Sequence, residues 1–310
     1  MKWLKYFLLL LLLFLGIIIG FNYHADIPLE TLKEKYAYPD SRFVKIEEME
    51  VHYRKTGSGP NLVLLHGTGA SLHTWEEWTK ELQDSFTIIS LDLPAFGLTG
   101  PFIKDVDYGI RHYASFLDGF VKAIGVDRFF LAGNSLGGLI AWKYTLDYPA
   151  KVKKLILLDA GGFPRDTTGK TPLAFSLAQN KITAAILKKV TPTALFKKSL
   201  SEVYGDPAKV NDELLQRYFE LFLRPGNRQA YVDRINQKET VIDPQNLTQI
   251  TQPCLILWGD MDRWIAVQNA HKFAALLPND TLIIYPGVGH VPMEEIPQQT
   301  VADVRFFLQE

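Results

Sequence analysis

A serine held between two glycines, Gly133-Asn134-Ser135-Leu136-Gly137, narrows the possible folds of this chain more than any other feature. Before it runs "RFFLAGN", an apolar stretch with the length of a buried strand. After it runs "LGGLIAWKYTLDYP", whose small and straight-chain residues read as a helix. A strand that turns directly into a helix strains the residue at the turn, and only neighbours without side chains leave room for it. Gly-x-Ser-x-Gly in this setting is a nucleophile elbow. The hydroxyl rises above the strand end, and the helix aims its N–H groups and positive dipole end at the same spot.

The rest of the chain repeats that strand–helix rhythm. "RFVKIEEMEVHYRKTGSGP" reads as a two-stranded hairpin, and "NLVLLHG", "TIISLDL", "RFFLAGNS" and "VKKLILLDAGG" as buried strands separated by helices. The helix "SLHTWEEWTKELQD" carries its apolar face at Leu72, Trp75, Trp78 and Leu82. Continuously apolar strands alternating with helices predict an α/β fold with a parallel sheet covered on both faces. The rhythm stops after Gly162, and only helical patterns broken by proline and glycine follow. It resumes with "PCLILWGD" and "TLIIYPGVGH". The expected organisation is a core over residues 42–162 and 246–310, interrupted near its sixth strand by a helical cap over 163–245.

At 310 residues and 47% hydrophobic, such a chain can bury a large core. Its net charge of −1 gives no field that would draw it to nucleic acid. The single cysteine, Cys254, sits in an apolar strand and excludes an intramolecular disulfide framework. No Cys/His cluster has metal-ligand spacing, so no bound metal is expected.

A serine hydroxyl needs a base, and the base needs a carboxylate to hold its tautomer. Of the seven histidines, His290 alone follows a strand and a glycine-rich loop. His24 falls in a linker, His52 on what reads as an edge strand, and His73, His112 and His271 within helical patterns. His66 reads as a loop-shaping residue bonded to backbone. "LILWGDMDRWI" offers Asp260, which reads as a loop brace, and Asp262, the expected third member; Asp159 at the end of "LILLDA" is the fallback. Ser135, Asp262 and His290 stand in the chain order nucleophile, acid, histidine. The loop His66-Gly67-Thr68-Gly69 is placed to give a second N–H donor, so the backbone amides of Thr68 and Leu136 are the expected oxyanion hole. Asp92 and Gly97 in "DLPAFG" read as a turn behind the site.

The N-terminus is compositionally apart. An uncharged apolar run extends from Tyr6 to Phe21, and from Trp3 to Tyr23 at its flanks a helix would reach about 30 Å, enough to cross a bilayer. It lies at the long limit for a signal peptide, and Tyr23-His24-Ala25 lacks the small residue a cleavage site wants. Residues 1–25 are therefore expected to be a single-pass anchor followed by a linker over 26–41. Lys2 and Lys5 before the run put the N-terminus in the cytoplasm and the remainder beyond the membrane. Cleavage would instead release a secreted protein. Residues 170–200 hold six lysines and no acid, interleaved with apolar residues. This stretch reads either as a membrane-contacting surface or as a solvated basic cap face.

Together "HGTG", "DLPAFG", "GNSLGG", "WGDMD" and "GHVPMEE" resemble the α/β-hydrolase superfamily across about residues 42–308. The look is that of bacterial lipases and esterases with a helical cap between strands six and seven. The resemblance implies a mostly parallel eight-stranded sheet and a cofactor-free serine hydrolase acting through an acyl-enzyme on an ester or lipid-like small molecule. Haloalkane dehalogenases and epoxide hydrolases carry aspartate at the elbow, where Ser135 stands. Proline iminopeptidases usually have tryptophan in place of Leu136. Carbon–carbon bond hydrolases of aromatic degradation share the elbow and acid loop but usually have tryptophan where Val291 stands. That chemistry, acyl transfer to an alcohol, and a non-catalytic binding role remain the alternatives.

Overall fold

The computed structural model describes residues 3, 5–7, 10, 16, 20–103, 107–164, 173–237 and 242–309. The expected anchor falls mostly outside them, and among the described residues no helix is long and apolar enough to cross a membrane.

Eight strands build one sheet: β1 (Arg42–Ile46), β2 (Met49–Thr56), β3 (Asn61–Leu65), β4 (Thr87–Leu91), β5 (Phe129–Asn134), β6 (Val152–Leu158), β7 (Cys254–Gly259) and β8 (Asp280–Tyr285). Their spatial order is β1-β2-β4-β3-β5-β6-β7-β8. β1 and β2 form the expected hairpin, and β2 runs antiparallel to β4. Every pairing from β4 through to β8 is parallel. All residues of β5 and β7 are buried, which is why these strands read as unbroken apolar runs rather than alternating ones.

The helices are α1 (Leu29–Tyr36), α2 (Glu76–Leu82), α3 (Ile110–Ala123), α4 (Leu136–Asp147), α5 (Leu173–Gln179), α6 (Lys181–Leu187), α7 (Thr193–Ser201), α8 (Asp212–Phe222), α9 (Asn227–Asn236), α10 (Gln268–Leu276), α11 (Pro292–Glu295) and α12 (Pro297–Gln309). One sheet face is covered by α3, which buries Ile110, Tyr113, Ala114, Leu117, Phe120 and Val121 at helical spacing, with Trp142 of α4 and Phe273 of α10. The other face receives Trp75, Trp78 and Leu82, three of the four residues of the face expected from the sequence, beside Phe307 of α12. Each such side chain contributes about 2–3 kcal/mol by leaving water.

The chain leaves β3 for β4 on one side and returns to β5 on the other, so the order reverses at β3. The C-terminal ends of β3 and β5 border the crevice that such a reversal opens. The loop after β3 and the serine after β5 both reach it. Helices α5–α9 lie between β6 and β7, and the breaks at Pro192, Gly205-Asp206-Pro207 and Pro225-Gly226 fall between them.

One expectation changes and another gains detail. Residues 26–41, by sequence a polar and partly helical linker, contain α1, which docks on the body. Leu32 of α1 is fully buried with Leu98 and Leu221, Asp26 pairs with the buried Arg228 at 2.6 Å, and Lys35 pairs with Glu220 at 2.8 Å. Its charges find partners on α8 and α9, which periodicity cannot reveal. His52 is on β2, flanked by both β1 and β4, and is completely buried rather than at an edge.

Candidate active site

Ser135 caps the N-terminus of α4 with φ 55° and ψ −115°, a conformation that L-residues rarely adopt. Backbone bonds hold it there. Its N–H donates to the Leu158 carbonyl at 3.0 Å, and its own carbonyl accepts from Leu139 and Gly161 at 3.0 and 2.9 Å. A Cβ on Gly133 would lie 2.2 Å from the Gly137 carbonyl oxygen, and one on Gly137 would lie 2.2 Å from that of Leu65. Both glycines of the motif are therefore required by close approach of backbone to backbone.

The loop after β8 brings in His290. Its Nδ1 lies 2.6 Å from Asp262 Oδ2, the length of a charge-assisted hydrogen bond. The other oxygen of Asp262 accepts the N–H groups of Trp264 and Ile265 at 2.7 and 3.0 Å, so the carboxylate cannot rotate away. The main chain of His290 is fixed at both ends: its N–H donates to Val203 at 2.7 Å, and its carbonyl accepts from the Asn134 amide at 2.9 Å. The Trp264 ring stacks on the imidazole at a centroid distance of 6.0 Å. Asp262 and His290 are both buried, while Ser135 and His290 line one cavity.

The other candidates separate cleanly. Asp260 Oδ1 accepts the Gly287 N–H at 2.7 Å and braces the loop. His66 accepts the Leu93 N–H on Nε2 and so carries its proton on Nδ1, 2.7 Å from the Gly67 carbonyl. Burial lowers its pKa, and with both nitrogens committed it is no free base. Asp92 accepts the amides of Leu72 and Leu98 and pairs with His52 Nδ1 at 2.8 Å, while His52 Nε2 lies 2.7 Å from Ser41 Oγ. This second Ser–His–Asp chain is outside the cavity.

Asp159 stands directly behind the first pair. It is wholly buried, has φ 45°, accepts the Gly259 N–H at 3.0 Å on Oδ1, and leaves Oδ2 without a partner. Burial first, and then the neighbouring Asp262, push its carboxyl well above the ordinary range. Atoms of Asp159, Asp262 and His290 lie within 4.8 Å of one another. The Asp262–His290 separation is that of a hydrogen bond, which already uses the donors a metal would need.

Thr68 borders the cavity together with Gly67 and Gly69. The Leu136 amide opens α4, where no preceding helical carbonyl faces it. The cavity itself measures about 140 Å³. Its floor is Ser135, His290 and Val291; Phe175, Leu195, Phe196, Phe222 and Tyr231 from α5 and α7–α9 wall it. Such a space takes an acyl chain or another apolar group.

Sequence reasoning passed over three residues. Asn134 lies inside the quoted elbow and ties it to the histidine loop. Glu295 lies inside "GHVPMEE" and accepts from the amides of Gly289, Gly205 and Asp206. The signal for both was a polar residue within a motif otherwise explained. Trp264, on the acid loop, carried no periodic signal.

The model of the α/β hydrolase fold matches residues 60–297. The chain belongs to this family. An uncharacterized protein of Mycobacterium tuberculosis is 28% identical over 284 residues, covering 88% of this chain and 82% of that protein. A 2-hydroxy-6-oxo-6-phenylhexa-2,4-dienoate hydrolase of Burkholderia cepacia is 26% identical over 263 residues, 81% of this chain and 90% of its own. Among solved structures, a bacterial membrane phospholipase A described as a virulence factor superposes with TM-score 0.73 at 29% identity, covering 98% of both chains. As a member of the family with these relatives, this α/β hydrolase is a hydrolytic enzyme.

Proposed function

We propose that this α/β hydrolase is a membrane-anchored serine hydrolase that cleaves carboxylic esters of lipid-like substrates. The observation that carries the reading is the bond from His290 to Asp262 on the floor of an apolar cavity that also holds Ser135. Ser135 Oγ attacks the ester carbonyl while His290 takes its proton. The amides of Thr68 and Leu136 receive the developing oxyanion, worth about 3–4 kcal/mol per donor. The tetrahedral intermediate collapses, His290 protonates the departing alcohol, and an acyl group remains on Ser135. Water, deprotonated by His290, then releases the acid. An alcohol in place of water would make the same site an acyltransferase. Anchoring by residues 1–25 with the catalytic part extracytoplasmic, and a cap over residues 163–245, belong to this reading.

Carbon–carbon hydrolysis is the second reading, favoured by the likeness to the Burkholderia cepacia enzyme. Against it, the cavity offers a substrate carboxylate little. Among the described lining residues its one fixed cation is Arg228, already bonded to Asp26 at 2.6 Å.

The test is hydrolysis of p-nitrophenyl esters from acetyl to palmitoyl by the full chain in detergent, beside Ser135→Ala. Turnover lost in the variant is the expected result. An inactive parent protein would move the assignment to carbon–carbon cleavage or binding.

A further inference from the structure

The walls of the cavity have a second side. On α6, Ala184 and Leu187 face inward, Leu187 lining the cavity and Ala184 packing with Ala178 and Val232. The opposite face presents Lys181, Ile182, Ala185 and Ile186, all exposed, at the i, i+1, i+4 and i+5 positions of one helical stripe, and Lys189, exposed in the turn just after α6, follows it. Ile182 is 74% exposed and Ile186 46%, and Leu173 at the start of the adjoining α5 is 44% exposed. A stripe with isoleucines at its centre and lysines at its ends costs free energy in water, since an exposed isoleucine forgoes the gain of burial. Lysine reaches along apolar surface and sets its ammonium at a charged boundary.

Where the chain's own apolar segment arrives decides what covers this stripe. Tyr23 bridges to Val190 in antiparallel fashion, and the Thr191 N–H donates to the Asn22 carbonyl at 3.1 Å. The run Tyr6–Phe21 thus meets the folded body within three residues of the C-terminal end of α6. Asp26 then locks onto Arg228, which also holds the Lys189 carbonyl at 3.1 Å. Phe21 and Tyr23, 84% and 56% exposed, continue the apolar surface.

We infer that the outer face of α6, with the start of α5, lies on the surface of a phospholipid bilayer, its isoleucines among the acyl chains and Lys181 and Lys189 on the phosphates. The inference rests on the ester-hydrolase reading for its purpose: a substrate acyl chain passes from the bilayer to the far side of the same helices, where Ser135 waits. A basic, amphipathic and shallow helix is the form of an interfacial segment.

Cys254 is buried and is the chain's single cysteine, so a lone introduced thiol can be labelled selectively. An environment-sensitive fluorophore is placed at Ile182→Cys in the full chain reconstituted in phosphatidylcholine/phosphatidylglycerol vesicles. The control label is at Thr281→Cys, exposed at the start of β8 and so at the opposite end of the sheet. Lipids carrying a nitroxide on the acyl chain are expected to quench the first label and spare the second. Equal quenching overturns the inference. So does a label at 182 that is shielded in detergent in a concentration-dependent way, the sign of a second copy. The Ile182→Ser, Ile186→Ser double variant is expected to keep its rate on soluble p-nitrophenyl butyrate and to lose roughly tenfold on the same ester class embedded in vesicles. An unchanged vesicle rate overturns the inference, whereas absence of all ester turnover would count against the ester reading and leave the quenching result to stand.

Discussion

Asp159 and Asp262 bring two carboxyl groups into one dry pocket behind His290, where like charges cannot both form cheaply. Asp262 is bonded to the imidazole and to two amides, so the proton falls to Asp159, whose free oxygen can donate it toward Asp262. Glu295, Tyr285 and His290 are the other titratable groups in its field. A carboxylate that receives such a bond is fixed in its orientation toward the imidazole. Asp159→Asn retains a donor and is expected to keep kcat/KM within about threefold. Asp159→Leu removes it and is expected to cost about tenfold. The kcat/KM of both variants on one ester checks this; a leucine variant at the wild-type rate contradicts it.

Among the elements, the turn from β5 into α4 was the most legible, because its constraint is written in two glycines, each two residues from Ser135. Gly137→Ala is expected to fail on the same ground. Its new methyl would meet the Leu65 carbonyl at 2.2 Å, destabilising the protein by about 1–3 kcal/mol and abolishing ester turnover, as a melt and an assay would record. An alanine variant of wild-type stability and activity would contradict the close approach. The apolar strands and the four-residue face Leu72, Trp75, Trp78 and Leu82 were legible for the same kind of reason: burial on the sheet sets their composition. The docking of α1 was not. Its single fully buried residue, Leu32, and its ion pairs depend on α8 and α9, nearly two hundred residues away, and no local pattern records them. His52 was misplaced because β2 continues the sheet by pairing with β4, a choice made by topology rather than by the strand's own alternation.

For the whole molecule, the buried polar knot at Asp92 ties β2, the turn before α2 and the "DLPAFG" loop together. Burial opposes its charge, but the field and hydrogen bond of His52 and the fields of His66 and His73 outweigh it and draw the carboxyl from 3.8 down to about 2. A folded value below the unfolded one adds stability above the unfolded value, and that stability is lost as pH falls through the folded one. Asp92→Asn is expected to cost about 2 kcal/mol at pH 7, with the gap to wild type closing between 3.8 and about 2. Denaturant titrations across that range check it, and a gap that ignores pH contradicts the charge assignment. The ester chemistry itself is tested most directly by trapping. The full chain is mixed with a long-chain p-nitrophenyl ester, quenched in acid within the first turnover and weighed intact, with Ser135 located by peptide mapping. One acyl group is expected, on Ser135, absent from Ser135→Ala. Ester turnover that persists in Ser135→Ala, or proceeds with no acyl group on the chain, would contradict it.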